Sequence, residues 1–382
     1  MLTALAIDGY RSIRRLRLDL APVTVITGPN GSGKSSLYRA LRLLAAAGRD
    51  GSVAALAREG GLSSTLWAGP ETLSRDVRAG RAPAQGTVRT GPVSLRMGFA
   101  GDEFGYAVDL GLPIPQEGSL FGRDPEIKAE SIWHGSVPRP ATALAERIGP
   151  HVRLRDDGGW TSADRALAPW ESMLDEVDSP EVRAVRRALR GWRFYDHIRA
   201  DPESPVRAAE IGTRTPVLAS DGRDLAGALQ TIREIGMRER LDAAVDEAFP
   251  GSRLDIREHD GRFEVTLAQP GLLRPLSAAE LSDGTLRYLV WVAALLSPRP
   301  AGLIVLNEPE TSLHPELLPA LARLIGVASR ESQLVVVSHA AVIVDALRQG
   351  GGRVAELRKV AGETQVAGQG TLDEPSWSWP TR

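Results

Sequence analysis

The sequence predicts an α/β fold, and three stretches of the chain carry that prediction. Residues 22–27 form a β-branched run that ends at a glycine-rich turn, and apolar side chains then recur at helical spacing. Residues 303–306 are four consecutive apolar residues, typical of a strand buried on both faces of a parallel sheet. A strand at Gln333–Val337, followed by a helix from Ala341, repeats the order of strand and helix.

The composition narrows the class of protein. The chain has 382 residues, a quarter of them charged, and a formal net charge of −2, so any contact with DNA would need a local basic patch. Cysteine is absent, which excludes disulfides, thiolate zinc sites and thiol catalysis. The longest apolar run, residues 286–296, is interrupted by Arg287 and is too short to cross a bilayer. We therefore expect a cytoplasmic protein with no membrane partner.

The stretch between the first and last α/β segments differs from them in composition and in predicted secondary structure. Glycine and proline are frequent over residues 51–140, and residues 93–99 and 105–112 alternate like the strands of a hairpin. Residues 361–382 contain two tryptophans that we expect to be exposed, and they fit no predicted element. The remaining predictions are strands at 2–7 and 192–198, helices at 179–192 and 225–249, a loop at 201–216, a hairpin at 254–258 and 262–268, and helices from Ser282 and Pro315.

The segment GPNGSGKS, from Gly28 to Ser35, matches the pattern G-x-x-x-x-G-K-[ST]. Its glycines let backbone N–H groups converge on phosphate oxygens, while Lys34 reaches the β- and γ-phosphates and the Ser35 hydroxyl binds Mg²⁺. A chance glycine turn is the alternative, but the segment lies between a predicted strand and a helix, as a phosphate loop requires. We predict ATP and Mg²⁺ as cofactors, with nucleotide contacts at Asn30, Gly31, Ser32, Gly33, Lys34, Ser35 and Ser36.

Polar residues follow the apolar strand in LIVLNEPETSLHP, residues 303–315. The carboxyl end of such a strand is where α/β sheets hold their ligands. Glu308 stands where a carboxylate orients or deprotonates the attacking water of phosphoryl transfer. The alternative is a strand followed by an acidic helix cap.

The segment LSDGT, residues 281–285, opens a predicted helix. Ser282 is a good N-cap, and a helix N-terminus with small residues binds anions, so Ser282, Asp283 and Gly284 are candidate nucleotide contacts. An ordinary N-cap explains the same residues.

The segment VVVSHA, residues 335–340, places His339 directly after an apolar strand. A histidine there can reach a γ-phosphate, and we predict a catalytic role for it beside Glu308. A structural histidine at a strand end is the alternative.

In this order, the four motifs resemble those of the ABC-type ATPase heads of the SMC, RecF and related AAA-like families, including the single-head OLD-type nucleases. The match covers five positions of the family pattern: the Walker A loop at residues 28–35, the signature at 281–284, the Walker B strand at 303–308, the D-loop at 311–314 and the switch at His339. Tyr10, Arg11 and Ser12 resemble the opening of SMC-like heads, which implies that Arg11 and Ser12 approach the nucleotide.

The resemblance implies a P-loop NTPase fold of α/β class: an ABC-type head with a β-rich antiparallel lobe and a helical insertion. It implies a core of residues 1–50 and 275–382, with 51–274 inserted as one composite domain. It also implies a homodimer around two ATP molecules, each held between one head's residues 28–35 and the partner's 282–284.

The sequence departs from the family pattern at several positions. Asn307 stands at the Walker B aspartate, so the implied metal ligands are Ser35 and Asn307. An amide cannot neutralise Mg²⁺-bound water as a carboxylate does. Two alternatives therefore remain: ATP turnover is slow, or Glu310 compensates for the missing carboxylate. His314 replaces the D-loop aspartate of transporters, and the Q-loop is assigned only by position, to residues 195–197.

Two functions remain open at this point. One is an ATPase that works on DNA, in repair, maintenance or a DNA-linked defence system; the other is an ATP-binding sensor with little turnover that controls a separately encoded effector. A transporter subunit fits the β-rich insertion poorly. The DNA hypothesis has one local feature, an arginine stripe that is more typical of the solvated face of an amphipathic helix: Arg183, Arg186, Arg187 and Arg190.

Overall fold

The structure, a computed structural model, describes residues 1–69, 92–115, 117–196 and 198–382. The chain forms two compact units. The first contains Met1–Ala21, Ile26–Trp192 and Ala355–Arg382, and the second contains Pro22–Val25 and Arg193–Val354. Each unit consists of residues that contact one another. The core of residues 1–50 and 275–382 was inferred from the sequence motifs, and this second division remains a prediction.

The first unit is built on an eight-stranded antiparallel sheet in the order β2-β1-β4-β5-β6-β7-β8-β9. The predicted hairpin is confirmed as β4 and β5, in which Met97 lies opposite Val108. The strands are β1 (Leu2–Tyr10), β2 (Ile13–Asp19), β4 (Leu95–Gly101), β5 (Phe104–Gly111), β6 (Glu126–His134), β7 (Ala143–Ile148), β8 (His151–Asp156) and β9 (Gly159–Ser162).

Strand β2 is absent from the sequence predictions because its arginines obscure the alternation. Arg17 is buried beside Asp8 of β1, with 2.6 Å between Nη1 and Oδ1. A buried arginine needs such a partner, and the sequence alone does not show that Asp8 lies opposite.

Helices flank this sheet, and the predicted helix at 179–192 is confirmed. It begins after Ser179, whose Oγ accepts a hydrogen bond from the Val182 N–H at 3.2 Å. From Ala355 on, a C-terminal hairpin completes the unit. The elements are α1 (Lys34–Ala47), α2 (Ser52–Arg58), α3 (Leu62–Thr65), α4 (Met173–Glu176), α5 (Pro180–Gly191), β17 (Arg353–Val360) and β18 (Glu363–Val366).

The C-terminal tail packs against the first unit, and the prediction of exposed tryptophans was wrong. Trp377 and Trp379 are half-buried, with ring centroids 5.3 Å apart. The Trp379 indole donates to Asp8 Oδ2 at 2.6 Å, and Trp377 meets Trp133 edge-on. These partners are more than 240 residues away in the chain, so the local sequence pattern could not predict the contacts.

The second unit contains parallel strands in the order β10-β15-β16-β3. Pairing runs from Leu303 opposite Gln333 to Asn307 opposite Val337, so β15 and β16 end at the same edge. Apolar helix faces cover the strands, and Val305, Leu306, Leu334 and Val336 are fully buried. The elements are β3 (Val23–Thr27), of which the first three residues belong here, β10 (Arg193–Tyr195), β15 (Leu303–Asn307), β16 (Gln333–Val337), α8 (Asp283–Leu295), α9 (Leu318–Ala328) and α10 (Ala341–Gln349).

The single helix predicted at 225–249 was wrong: α6 (Leu225–Ile235) and α7 (Arg238–Ala248) are separate. Gly236 ends α6 with φ −104° and ψ −147°, a conformation that no helix contains. Its hydrogen faces the Ile232 carbonyl oxygen, which a Cβ would approach to 2.7 Å. The break therefore follows from the glycine.

The predicted hairpin at 254–268 is confirmed as β12 (Arg253–His259) and β13 (Arg262–Ala268), which β11 (Glu210–Ile211) and β14 (Leu276–Ser277) join in a small sheet. Residues 201–216 are mostly loop, as predicted, apart from β11 and a 3₁₀ turn at Pro205–Arg207. A second 3₁₀ turn, Pro315–Leu317, precedes α9. Among the described residues, none of the helices has both the length and the apolar content that a bilayer crossing requires.

Candidate nucleotide-binding site

The predicted phosphate loop lies in the first unit and depends on left-handed glycines. Gly28, Gly31 and Gly33 have φ values of 141°, 78° and 109°. Side-chain-bearing residues rarely adopt such angles. Space is restricted as well, since a Cβ on Gly28 would lie 2.2 Å from the Leu357 carbonyl oxygen and one on Gly33 would lie 2.1 Å from Thr364 Oγ1. The glycines of the motif are thus required by geometry.

Lys34 begins α1 and is 6% exposed. Its Nζ donates to the carbonyl oxygens of Gly28 at 2.7 Å and Pro29 at 3.2 Å, so the ammonium lies within the turn of its own loop. The side chains of the first helical turn are Lys34, Ser35, Ser36 and Leu37, and none of these carries a negative charge. Ammonium, helix dipole and N-terminal N–H groups together fit a polyphosphate.

The serines after Lys34 differ in exposure. Ser35 is exposed, so its hydroxyl is available to a metal ion, while Ser36 is half-buried and lies 3.2 Å from Ser12 Oγ. Ser12 Oγ is also 2.8 Å from Thr364 Oγ1. The structure therefore places Ser12 beside the phosphate loop, together with Thr364, which sequence reasoning missed; a contact of Ser12 with the nucleotide remains a prediction.

Arg11 is engaged within the first unit. Its Nη2 donates to Glu59 Oε2 at 2.8 Å, its Nε donates to the Tyr10 hydroxyl at 3.2 Å, and Tyr10 donates to the same carboxylate oxygen at 2.6 Å. Burial raises the pKa of Tyr10, so the phenol stays protonated and acts as a donor. Arg11 has φ 50°, a strained angle for an arginine. Its contact with a nucleotide remains a prediction.

In the second unit, Asn307 and Glu308 lie where β15 ends. Glu308 has φ 49°, and its N–H donates to the Val337 carbonyl at 2.8 Å. Trp291 supports the turn that follows, because its indole N–H donates to the Pro309 carbonyl at 3.1 Å. The left-handed backbone at Glu308 carries strain that the surrounding structure maintains, a feature that clusters at functional sites. Both predicted residues thus lie at the carboxyl edge of the parallel strands.

Glu310 binds the segment that carries His339. Its Oε1 accepts hydrogen bonds from Ser338 Oγ at 2.9 Å, the His339 N–H at 2.9 Å and the Ala340 N–H at 3.2 Å. His339 Nδ1 is 3.2 Å from the same oxygen. Glu310 is 8% exposed and His339 is mostly exposed, so a buried carboxylate fixes the base of an accessible imidazole. Sequence reasoning considered Glu310 only as a substitute metal ligand.

The residues of the signature segment cap α8. Ser282 Oγ accepts a hydrogen bond from the Thr285 N–H at 3.2 Å. Arg207 donates to Asp283 and to the Leu281 carbonyl at 2.8 Å, and a Cβ on Gly284 would lie 3.3 Å from the Ser312 carbonyl oxygen. Ser282 is thus an N-cap, as the alternative had it, and a nucleotide role for residues 282–284 remains a prediction.

The arginine stripe on α5 is largely used within the protein. Arg183 pairs with Asp178, Arg186 donates to the Leu174 carbonyl at 3.2 Å, and Arg190 donates to the Gly48 carbonyl. These contacts favour the structural interpretation over phosphate tracking. At the predicted Q-loop position, Tyr195 is buried and donates to the Leu218 carbonyl at 3.2 Å, and His197 lies outside the described residues.

The predicted metal ligands, Ser35 and Asn307, carry a hydroxyl and an amide and include no carboxylate. In the ranges that the structure describes, there is no group of three or more histidine, aspartate or glutamate side chains arranged to hold a metal ion. Ser35 lies in the first unit and Asn307 in the second, and each carries an oxygen of the kind that Mg²⁺ takes as a ligand. Their joint role as metal ligands remains a prediction.

Family models match two separate parts of the chain. An AAA-domain model matches residues 4–53, and a second, described as "AAA domain, putative AbiEii toxin, Type IV TA system", matches residues 176–345. The DNA replication and repair protein RecF of Corynebacterium jeikeium (strain K411) is 24% identical over 298 residues, 74% of this chain and 66% of that protein. The OLD nuclease of Thermus scotoductus (strain ATCC 700910 / SA-01) is 23% identical over 358 residues, 91% of this chain and 60% of that protein.

The chain thus spans less than two thirds of the length of each of these relatives. Among solved structures, an Smc head bound to the C-winged helix domain of ScpA matches 97% of this chain and 98% of its own with a TM-score of 0.51. At 14% identity this likeness concerns the fold. Fold, motifs and family models together support an ATPase head of ABC/AAA type, similar to the RecF and SMC heads.

Proposed function

We propose that this head binds Mg·ATP through residues 28–36 of the first unit. The observation that carries the proposal is Lys34, whose buried ammonium lies within a loop of left-handed glycines at the N-terminus of α1. An ammonium held by carbonyl oxygens gains a stronger partner when a phosphate replaces them. Lys34 and the loop amides would neutralise the phosphates, and Ser35 and Asn307 would supply oxygen ligands to the metal.

Hydrolysis is the proposed reaction. Bound Mg·ATP supplies the phosphoanhydride that is cleaved, and the residues orient the attack. Glu308 would accept a proton from the attacking water, and His339 would donate a hydrogen bond to the γ-phosphate. The strained turn at Glu308 and the anchored segment at His339 support these roles, because both fix the backbone from which the side chain extends.

We expect turnover to be slow. Asn307 stands where the family has an aspartate, and a neutral amide stabilises a metal ion less than a carboxylate does. Glu310 is the candidate for compensation, and its Oε1 accepts hydrogen bonds from the three donors of residues 338–340. Its buried Oε2 has no hydrogen-bond partner among the described residues, so compensation by this oxygen stays the alternative.

We further propose that two heads close around two ATP molecules, with the partner's Ser282, Asp283 and Gly284 completing each site. The N-terminus of α8 would contribute its dipole to the phosphates. The support is the likeness to the Smc head fold and the order of the motifs.

The proposed role is in DNA repair or maintenance, or in DNA-linked defence, inside the cytoplasm. The curated relatives are named for DNA replication and repair and for a nuclease, which supports this role. An alternative is a sensor that binds ATP with little turnover and controls a separate effector, and Asn307 favours it.

The test is calorimetry with magnesium and ATP on wild type, Lys34→Ala and the control Lys359→Ala, which removes an exposed ammonium from β17. We expect Lys34→Ala to abolish binding and the control to leave it unchanged. Equal binding by wild type and Lys34→Ala would reject the proposal. Phosphate release with and without duplex DNA then separates the two roles, because stimulation by DNA supports the first and tight binding without turnover supports the sensor.

A further inference from the structure

The C-terminal hairpin contacts the phosphate loop through one buried residue, Thr364 of β18. Thr364 has no exposed surface. Its Oγ1 donates to the Ser32 carbonyl at 2.9 Å and lies 2.8 Å from Ser12 Oγ, and its N–H donates to the Ser12 carbonyl at 2.8 Å. Ser32 belongs to the loop and lies 332 residues away in the chain.

The hydroxyl protons in this cluster have a single consistent order. A carbonyl oxygen only accepts, so the Thr364 hydroxyl gives its one proton to Ser32. Thr364 Oγ1 must then accept from Ser12, and Ser12 Oγ, its own proton used, must accept from Ser36 at 3.2 Å. The chain of donors therefore runs from Ser36 through Ser12 and Thr364 to the backbone of the loop. In this arrangement Ser12 acts on the loop and has no proton left for a nucleotide.

Holding the Ser32 carbonyl also sets the next amide. A peptide unit is planar and trans, so its C=O and N–H point in opposite directions. Because the Ser32 carbonyl points toward Thr364, the Gly33 N–H points away from β18. Amide donors turned in this way are the groups that bind phosphate in a glycine-rich loop.

The same residue imposes a steric limit. A Cβ on Gly33 would lie 2.1 Å from Thr364 Oγ1 and 2.7 Å from its Cγ2. The threonine methyl and hydroxyl thus lie against the glycine that precedes Lys34. Position 33 therefore has room for a glycine only, and the Thr364 side chain occupies the space that a Cβ would need.

We propose that Thr364 is a positioning residue of the nucleotide site. It pre-organises the Ser32–Gly33 peptide for phosphate binding, and it makes the C-terminal hairpin part of the ATP site although no sequence motif marks it. The inference rests on the proposed function, since it concerns the same loop. Pre-organisation of this kind raises affinity by lowering the cost of ordering the loop.

The test compares Thr364→Val, which keeps the shape and removes the hydroxyl, with Thr364→Ser, which keeps the hydroxyl. Thr266→Val is the matched control, because Thr266 is also buried, in β13, and also donates to a backbone carbonyl. By calorimetry with Mg·ATP, we expect Thr364→Val to bind about tenfold more weakly, since the buried Ser32 carbonyl and the half-buried Ser12 hydroxyl each lose a hydrogen-bond partner. We expect Thr364→Ser to stay within about threefold of wild type and Thr266→Val to match it.

Steady-state kinetics supplies a readout that general destabilisation does not give. We expect Thr364→Val to raise KM for ATP while kcat stays within about twofold, the pattern of lost ground-state binding. Ser12→Ala interrupts the donor chain without altering β18, so it keeps the proposal testable if Thr364→Val fails to fold. We expect it to weaken ATP binding about threefold.

Two results would overturn the inference: Thr364→Val, or Ser12→Ala in its place, binding ATP as wild type does, or Thr364→Val and Thr266→Val losing affinity equally. A wild-type protein that binds no ATP is a different result, because it rejects the proposed function and this inference together.

Discussion

The carboxylate of Glu310 binds the backbone N–H of His339 and lies beside its imidazole ring. Its Oε1 accepts the His339 N–H at 2.9 Å and lies 3.2 Å from Nδ1, while Ser338 and Ala340 donate to the same oxygen. These hydrogen bonds fix the backbone of the segment that carries the imidazole, while 57% of the His339 side chain stays exposed. The predicted switch histidine is therefore positioned by a residue 29 positions earlier in the chain.

Glu310→Gln should lower kcat about tenfold while ATP affinity changes less than about twofold, because charge-assisted hydrogen bonds are roughly twice as strong as neutral ones. The amide keeps the shape of the carboxylate but loses its charge, so the segment at 338–340 is held less firmly. Steady-state phosphate release and calorimetry measure the two quantities. The control is Glu331→Gln on the surface, which should retain wild-type kinetics. An unchanged kcat in Glu310→Gln would remove Glu310 from this role.

Glu308→Gln should preserve ATP binding and trap an ATP-bound dimer. The amide cannot accept the proton of the attacking water, so the γ-phosphate persists and the heads stay closed. Gel filtration with and without ATP should show a shift to twice the mass only when ATP is present. Wild type with ADP serves as the control and should elute as without nucleotide. Hydrolysis by Glu308→Gln at the wild-type rate would contradict the assignment.

Gly33→Ala should weaken ATP binding much more than Gly31→Ala. Both glycines have left-handed φ angles, 109° and 78°, so both substitutions introduce backbone strain. A Cβ at Gly33 meets Thr364 at 2.1 Å, whereas within 4 Å of one at Gly31 the described structure has no heavy atom. We expect about a hundredfold loss of affinity for Gly33→Ala and less than tenfold for Gly31→Ala, corresponding to about 2.7 and 1.4 kcal/mol.

Calorimetry on both variants measures that difference, and melting temperatures show whether each is folded. Equal losses would mean that backbone strain alone governs the loop, and the contact with β18 would then have no effect on binding.

Stability should fall as pH rises through the range set by Glu210. Burial raises the pKa of Glu210 from 4.5 to about 7, opposed by a hydrogen bond from the Gly227 N–H at 2.8 Å, and the nearby Asp224 raises it further. Below pH 4.5 the carboxyl is protonated in both states, so its stabilising contribution is complete. As pH rises to about 7, the unfolded chain releases the proton first and the contribution is lost.

Glu210→Gln should therefore gain stability relative to wild type between pH 5 and pH 8, as measured by urea unfolding. Glu280→Gln is the control, because hydrogen bonds from Arg274 lower the pKa of Glu280 to about 2 and it does not titrate in this range. A difference between Glu210→Gln and wild type that stays constant across the range would contradict the assignment.

Elements with a strong local pattern were predicted correctly. The buried strands β15 and β16, the hairpin of β4 and β5, and the helix α5 follow from apolar runs, alternation and helical spacing. Predictions failed where a distant partner sets the structure. Strand β2 was not predicted because its buried Arg17 reads as a surface residue until its partner Asp8 is known. The tail tryptophans are half-buried because Trp379 donates to Asp8 and Trp377 packs against Trp133.

The sequence by itself determined the phosphate-loop motif, the strand that ends at Asn307, and the histidine after β16, because each is a contiguous pattern whose chemistry is local. Only the tertiary structure decided that Thr364 supports Gly33 and that Glu310 anchors His339. Those relationships join segments up to 332 residues apart. They depend on strand register and turn geometry, which arise when the chain packs and which no stretch of sequence encodes alone.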